Sequence, residues 1–159
     1  MAFYCLVMLG IALELTDQSP AYEDVASKFF EHFIAIADAI NTLDGTGLWN
    51  EEDGFFYDHL HVDGREMPLK LRSMVGLIPL FAVEILDQSV LDRLPGFAKR
   101  MDWFLRNRQD VTSRIACMLG GADNRERRLL AIPSRERLTR ILRYVLDDAE
   151  LLAPHGVRS

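Results

Sequence analysis

The sequence has few of the residues that define several protein classes. Its two cysteines, Cys5 and Cys117, are too few for a disulfide-stabilised scaffold. We interpret them as reduced, buried thiols of a cytoplasmic protein, with a single bridge in an oxidising compartment as the alternative. The 18 basic residues are outnumbered by 24 acidic ones, and the net charge of -6 disfavours nucleic acid and membrane surfaces as partners.

No apolar run in the sequence is suited to crossing a bilayer. Residues 2–16 are apolar, but they carry Glu14, have no basic region in front and lack a small-residue cleavage site behind. They predict a core helix instead of a signal peptide or membrane anchor. Linkers and sequence repeats are also missing, so residues 1–159 are expected to form one domain.

Motifs for metals, cofactors and nucleophiles are missing too. The acidic stretch 50–54 fails as an EF-hand loop, because Trp49 would stand at the first ligand position. His59 and His61 share a strand face, but no third ligand lies at a fixed spacing from them. Phosphate loops, nucleophile elbows and C-x-x-C pairs do not occur. We therefore expect neither a cofactor nor a metal.

Helical periodicity dominates what is present. Segments 2–16 and 72–86 are apolar on almost every side, which predicts two helices that are buried on every face. In the second segment, Ser73 can cap the helix, and Pro79 predicts either a kink or a later start of the helix. One-sided helices are predicted at 22–41, 96–108 and 134–146, and a short helix or turn at 88–94. Segment 110–125 is left unassigned, and 147–159 is expected to be a loop.

The last predicted helix has a strongly basic polar side. Its arginines are interpreted as a solvated face: Arg135, Arg137, Arg140 and Arg143. The alternation of fully apolar and one-sided helices is typical of inner and outer helices in concentric layers.

Segment 43–67 differs from the rest in composition. Glycines punctuate it, and Asp63-Gly64 predicts the tight turn of an irregular β-hairpin inside a long loop. Sugars have apolar ring faces and hydroxyl edges, so a mixture of aromatic and acidic side chains suits carbohydrate, and paired carboxylates could hydrolyse a glycosidic bond. On chemistry alone the residues favour the alternative, a β-hairpin whose aromatic side chains plug a helical core while its carboxylates face water. The side chains concerned are Trp49, Phe55, Phe56, Tyr57, Glu51, Glu52, Asp53 and Asp58.

Five stretches resemble glycoside hydrolase family 63, including its mannosylglycerate hydrolase-like bacterial members. They are residues 2–5, 22–33, 48–58, 72–82 and 154–159. The resemblance covers essentially the whole chain. Its longest motifs, LWNEEDGFFYD and RSMVGLIPLFA, are specific when taken together.

The resemblance implies an (α/α)6 toroid and an inverting hydrolase of α-linked glucose or mannose, in oligosaccharides or small glycosides. It also implies that the proton donor precedes the stretch seen here and that the catalytic base follows it. A toroid of about twelve helices exceeds 159 residues. We therefore expect an all-α fragment, a partial toroid of helical hairpins with one long loop containing a short β-hairpin, inactive by itself.

Within this fragment the loop is expected to contribute to the sugar pocket. Trp49 is predicted to be a stacking platform, Asp53 and Tyr57 to bind hydroxyl groups, and Arg72 to anchor the loop by pairing with a carboxylate at its base. Glu52 is the spare candidate for an acid, should the catalytic pair lie within this chain.

Half a toroid would leave its inner helices partly uncovered. Because a few hundred Å² of exposed apolar surface forgoes several kcal/mol, at ~25 cal/mol per Å², we expect a chain that is marginally stable, self-associates or depends on missing parts of the domain. Two alternatives stay open: a non-catalytic helical domain that binds a partner protein, and a residual fragment without independent activity.

Overall fold

The computed structural model describes residues 1–42, 47–109, 116–119 and 127–158, and in these ranges the chain is mixed α/β. The helices are α1 (Ala2–Leu15), α2 (Tyr22–Asn41), α3 (Gln88–Arg93), α4 (Pro95–Asn107) and α5 (Arg135–Val145), with a 3₁₀ helix at Met74–Phe81. The strands are β1 (Trp49–Asn50), β2 (Phe55–Phe56), β3 (Asp58–Val62), β4 (Arg65–Leu69), β5 (Val83–Asp87), β6 (Ala116–Leu119), β7 (Arg127–Ala131), β8 (Leu152–Ala153) and β9 (Gly156–Val157).

The strands form four small antiparallel sheets. Three are two-stranded and pair β1 with β2, β3 with β4, and β8 with β9. The fourth has the order β5-β7-β6, and its central strand β7 places Ala131 opposite Val83 on one side and opposite Ala116 on the other.

One part of the core lies between α1, α2 and α4. Leu6 and Leu9 of α1 are buried together with Phe30 and Phe33 of α2. Phe97 of α4 meets Phe30 edge-on, with ring centroids 5.8 Å apart. Aromatic pairs in this arrangement add to the stabilisation from buried area, so the α2 aromatic side chains hold three helices together.

Helix boundaries follow local chemistry. Glu23 and Asp24 occupy the first turn of α2, where the positive end of the helix dipole favours them. Pro95 opens α4 at a position whose N–H has no partner inside the helix. The Ser134 side chain caps α5 by accepting a hydrogen bond from the Arg137 N–H at 3.3 Å.

The predicted all-α partial toroid is wrong. The described residues carry four β-sheets beside the helices, and the segment expected to be the second inner helix is not an α-helix. Residues 72–86 instead form the 3₁₀ helix, capped by Ser73 as predicted, and then β5. Pro79 cannot donate within a helix, and the alternating Val83 and Ile85 favour a strand.

The helix predicted at 2–16 is confirmed as α1, but its burial on every face is wrong. One side packs on α2, whereas Phe3 and Tyr4 are 55% and 60% exposed. Val7 and Ile11 are exposed on the same helix. Among the described residues, no helix combines the length and apolarity needed to cross a membrane.

Several local predictions are confirmed. The turn between β3 and β4 places Asp63 at φ 49 and Gly64 at φ 73, as a two-residue hairpin turn with two positive φ angles requires. The one-sided helices appear as α2, α4 and α5, and the short helix as α3. Cys5 is a buried free thiol, as predicted, whereas the side chain of Cys117 lies outside the described residues.

Some predictions fall partly outside the described residues. The start of the long loop at 43–46 and most of the unassigned 110–125 segment belong there. The described part of the latter segment, 116–119, is β6. The tail expected to be a loop contains the small β8–β9 pair.

The aromatic core predicts a large contrast between two phenylalanines. Phe30→Ala removes a fully buried ring and should lower the free energy of unfolding by about 3–5 kcal/mol. Phe81→Ala, at a ring that is 56% exposed, should cost less than about 1 kcal/mol. Urea denaturation followed by circular dichroism measures both, and equal losses would contradict this description of the core.

Candidate functional site

The segment 48–58 folds around its own aromatic side chains. In the β1–β2 pair, Trp49 faces Phe56 and Asn50 faces Phe55. Trp49 and both phenylalanines are buried, as is Tyr57 at 3% exposure. The loop is therefore a packed hairpin with polar side chains at its edge.

Gly54 lets this hairpin approach α5 closely. Its φ is +70, and a Cβ atom at this position would lie 2.3 Å from the Arg140 Nε. The positive φ favours glycine here, and a Cβ atom would force the Arg140 guanidinium to move. The guanidinium of Arg140 uses this space to donate hydrogen bonds to the backbone carbonyls of Glu51 and Glu52.

Trp49 is enclosed. Its ring meets Phe56 with centroids 5.0 Å apart, and the Arg137 guanidinium carbon lies 4.7 Å from the ring centre. The indole N–H donates to Glu51 Oε2 at 2.7 Å, and the residue is 6% exposed. Trp49 thus packs the hairpin against α5, and its role as a sugar-stacking platform stays a prediction.

Glu51 links the hairpin to two arginines. Its carboxylate accepts from Arg140 Nη1 at 2.6 Å and lies 3.8 Å from Arg137 Nη2. Burial raises the pKa of Glu51, but the hydrogen bonds from Trp49 and Arg140 and the two positive charges outweigh burial, so the pKa is lowered overall.

The interpretation of the α5 arginines as a solvated face is wrong for two of them. Arg137 is 9% exposed and donates to Asn41 Oδ1 at 2.6 Å, while Asn41 Nδ2 donates to the Ile132 carbonyl at 3.0 Å. Arg140 binds Glu51 and the loop backbone. The two side chains are withdrawn from solvent because the loop opposite them offers carboxylate and carbonyl oxygens as acceptors and aromatic rings as packing partners.

Arg72 lies at the other edge of the loop. Its Nε and Nη2 donate to the two carboxylate oxygens of Glu150 at 3.0 Å and 2.5 Å, and its Nη1 donates to the Tyr57 hydroxyl at 3.5 Å. The guanidinium carbon lies 4.6 Å above the Tyr144 ring. The carboxylate partner is therefore Glu150, which the sequence did not suggest because 78 positions separate the pair.

Pairing and burial together shift the pKa values of Arg72, Glu150 and Tyr57. The hydrogen bond from Arg72 lowers the pKa of Glu150, and the same bond raises the pKa of Arg72. Burial raises the pKa of the Tyr57 phenol, and the hydrogen bond from Arg72 only partly offsets it. The guanidinium of Arg72 therefore stays a cation and the phenol of Tyr57 stays neutral near neutral pH.

Asp53 is connected to this network through its backbone. The Tyr144 hydroxyl donates to the Asp53 carbonyl at 2.6 Å, and the Asp53 N–H donates to Asn50 Oδ1 at 2.8 Å. Its carboxylate lies 3.3 Å from Lys70 Nζ, and Glu52, at 4.0 Å from the same ammonium, is 87% exposed. The structure therefore brings Asp53, Tyr57 and Arg72 into one network and leaves Glu52 at its rim.

A polar cleft of about 290 Å³ opens between the loop and α5, and we call it the acid–arginine cleft. Its lining combines carboxylates, guanidinium groups and a phenol. Its lining residues are Glu52, Asp53, Arg140, Arg143, Tyr144 and Asp147. A second cleft of about 180 Å³, on the side of the hairpin that carries Asn50 and His59, also includes Trp49 and Tyr57.

The two histidines of β3 lie beside one glutamate. His59 Nδ1 lies 2.5 Å from Glu66 Oε1, and His61 Nε2 lies 3.8 Å from the same oxygen. Within the part of the chain that the structure describes, no three His, Cys, Asp or Glu side chains are placed to hold a metal ion.

Comparison with known proteins gives one informative similarity. Along its whole length the chain is 45% identical, over 172 aligned residues, to the uncharacterized protein YMR196W of Saccharomyces cerevisiae. The chain spans 16% of the length of that protein. No protein-family model matches the chain. No solved structure matches it either. The name of the yeast relative states no activity, so the function is argued from the site.

The Arg72–Glu150 pair predicts a defined pH dependence of stability. The pKa of Glu150 is lower in the folded chain than in the unfolded chain. The contribution of the ionised carboxylate to folding stability is therefore complete above the unfolded pKa and is lost as the pH falls through the folded pKa. Glu150→Gln should therefore lower the urea midpoint at pH 7, and this deficit should shrink below about pH 4.

The matched control is Asp148→Asn, an exposed carboxylate two positions earlier. It should leave the midpoint unchanged throughout the same pH series. A deficit in Glu150→Gln that is equally large at neutral and acid pH would contradict the assignment to this ion pair.

Proposed function

We propose that this chain is a sugar-binding segment of an inverting α-glycosidase acting on α-linked glucose or mannose, located in the cytoplasm. The observation that carries the proposal is the acid–arginine cleft beside a loop whose sequence resembles glycoside hydrolase family 63. The proposal rests on that loop and not on the toroid, which the β-sheets exclude for the described residues.

The chemistry of the cleft supports a polyhydroxylated ligand. Sugar hydroxyl groups both donate and accept hydrogen bonds, and the cleft offers charged acceptors on Asp53 and Asp147 beside charged donors on Arg140 and Arg143. Asp53 keeps 27% of its side chain accessible. Hydrogen bonds to charged groups are the stronger class, so a neutral sugar could be held without a metal.

The loop is also held in place before any ligand binds. Arg140 fixes the carbonyls of Glu51 and Glu52, and Tyr144 fixes that of Asp53. Ordering a loop on binding costs free energy, and a loop already ordered by its own contacts avoids this cost. A preorganised rim is what a binding segment requires.

The carboxylates of this chain are proposed to bind sugar and not to hydrolyse it. A glycosidase acid is commonly kept protonated by burial, whereas Glu52 is 87% exposed and lies near Lys70. The catalytic acid and base are therefore proposed to come from other parts of a larger domain. The yeast relative is about six times longer than the matched stretch, and this length supports the arrangement.

The test is a titration of the ¹⁵N-labelled chain with methyl α-mannoside and methyl α-glucoside at millimolar concentrations. We expect amide shifts at residues of the acid–arginine cleft with one of the two sugars. Asp53→Asn should weaken binding about tenfold, because a charged acceptor is lost while the shape is kept. Asp92→Asn, in α3, should not weaken it.

Two outcomes would contradict the proposal. One is the absence of shifts with either sugar, and the other is binding that Asp53→Asn leaves unchanged. Turnover of an aryl α-glycoside by the chain alone would show that the catalytic pair lies within these residues, and it would remove the assignment of catalysis to other segments.

A second candidate function is a helical domain that binds a partner protein. The exposed apolar side chains of α1, among them Phe3 and Ile11, favour it. Calorimetry with the two sugars, beside a measurement of association state, separates the two functions, because a pure interaction domain would associate without binding either sugar.

A further inference from the structure

Arg72 contacts three side chains at once, although it is not among the residues that line the acid–arginine cleft. Its Nε and Nη2 donate to the two carboxylate oxygens of Glu150, and its Nη1 donates to the Tyr57 hydroxyl at 3.5 Å. Its guanidinium carbon lies 4.6 Å from the centre of the Tyr144 ring. A planar guanidinium can bind a carboxylate through two donors and also stack on an aromatic ring, whereas a lysine ammonium cannot reproduce this geometry. The contact is therefore specified in direction as well as in charge.

Through Glu150, Arg72 holds the turn that follows α5. The Glu150 N–H donates to the Asp147 carbonyl at 3.1 Å, and the Leu152 N–H donates to the same oxygen at 2.9 Å. The Asp147 side chain closes the turn by accepting a hydrogen bond from the Ala149 N–H at 2.9 Å. Asp147 also lines the cleft. The carboxylate that Arg72 binds and a carboxylate that the cleft presents thus belong to one hydrogen-bonded turn.

Through its two tyrosine partners, Arg72 also holds the loop that carries Asp53. The Tyr144 hydroxyl donates to the Asp53 carbonyl at 2.6 Å. The Tyr57 hydroxyl interacts with the Asp53 carboxylate, which raises the pKa of this phenol in addition to the larger effect of burial. Asp53 lines the same cleft as Asp147. Both cleft carboxylates are therefore connected to one guanidinium.

The main consequence of the Arg72–Glu150 contact is geometric. The two side chains are 31% and 30% exposed, and ion pairs that solvent reaches contribute only modestly to the free energy of unfolding. Two acceptors that bind one ligand must each be placed to within about 0.5 Å. Asp53 and Asp147 lie on segments that are far apart in the sequence, so a contact shared by both segments is needed to fix their relation.

We propose that Arg72 is a positioning residue of the acid–arginine cleft, which fixes Asp53 and Asp147 relative to each other without touching the ligand. This role rests on the proposed sugar-binding function of the cleft. It goes beyond anchoring of the loop, because loop anchoring alone would leave Asp147 unaffected. Loss of the contact should leave the chain folded but let the turn at 147–150 move relative to the loop. Each binding event would then have to order the turn again, at a cost in affinity.

The first test is amide hydrogen exchange in the unliganded 159-residue chain. In Arg72→Lys, the amides of Ala149 and Leu152, which both donate to Asp147, should exchange about tenfold faster than in the wild type. Glu150→Gln should have the same effect, so the test does not depend on one variant. Because the change is local, amides in the buried part of α2 should keep their exchange rates.

The second test is sugar affinity, measured by NMR titration with methyl α-mannoside and methyl α-glucoside. Arg72→Lys and Glu150→Gln should each raise the Kd of the sugar that binds about tenfold. Since both changes break one contact, the double variant should bind no more weakly than either single variant. Arg100→Lys is the matched control, because Arg100 of α4 pairs with Glu31 of α2 at 3.2 Å. This control should keep the wild-type Kd and the wild-type exchange rates.

The proposed function and the positioning role fail in different ways. A wild-type chain that binds neither sugar contradicts the proposed function, and the exchange rates then decide whether Arg72 positions Asp147. A wild-type chain that binds sugar, with both single variants at the wild-type Kd, would overturn the positioning role alone. Unchanged exchange at Ala149 and Leu152, or additive losses of affinity in the double variant, would overturn it as well. Equally faster exchange throughout α2 would do the same, because it would indicate a general loss of stability.

Discussion

The buried guanidinium of Arg137 is the contact on which the arrangement of this chain depends. It joins the end of α2 through Asn41, the aromatic hairpin through Trp49, and its own helix α5. A charge at 9% exposure is tolerated only when it is paired and hydrogen-bonded, so the three elements must meet in one geometry. Asn41 completes the arrangement by binding the Ile132 carbonyl at the end of β7.

The loop and its surroundings form two layers with different tasks. The inner layer is the aromatic hairpin, whose rings exclude water from the contact with α5. The outer layer is a rim of charged side chains, of which Asp53 and Glu52 keep access to solvent. Arg72 and Tyr144 connect the layers, because they bind Tyr57 inside and the Asp53 backbone outside. The polar rim is thereby positioned by an apolar support.

Local features could be predicted from the sequence, whereas long-range partners could not. Helical spacing located α1, α2, α4 and α5, and Asp63-Gly64 located the hairpin turn, since these depend on neighbouring residues. The 72–86 segment was mispredicted because apolar residues on every side do not distinguish a buried helix from a 3₁₀ turn followed by a strand. Glu150 and Asn41 were missed as partners because only the tertiary fold brings them to Arg72 and Arg137.

Arg140 anchors the loop at position 52 through the main chain and not through the side chain. Its Nη2 binds the main-chain oxygens of Glu51 and Glu52, and every amino acid supplies such an oxygen. The side chain at position 52 can therefore change without loosening the turn, provided that Gly54 keeps the space for the guanidinium. If the rim binds sugar as proposed, substitutions at this position change the ligand contacts while the scaffold stays the same, which leaves the loop open to new specificities.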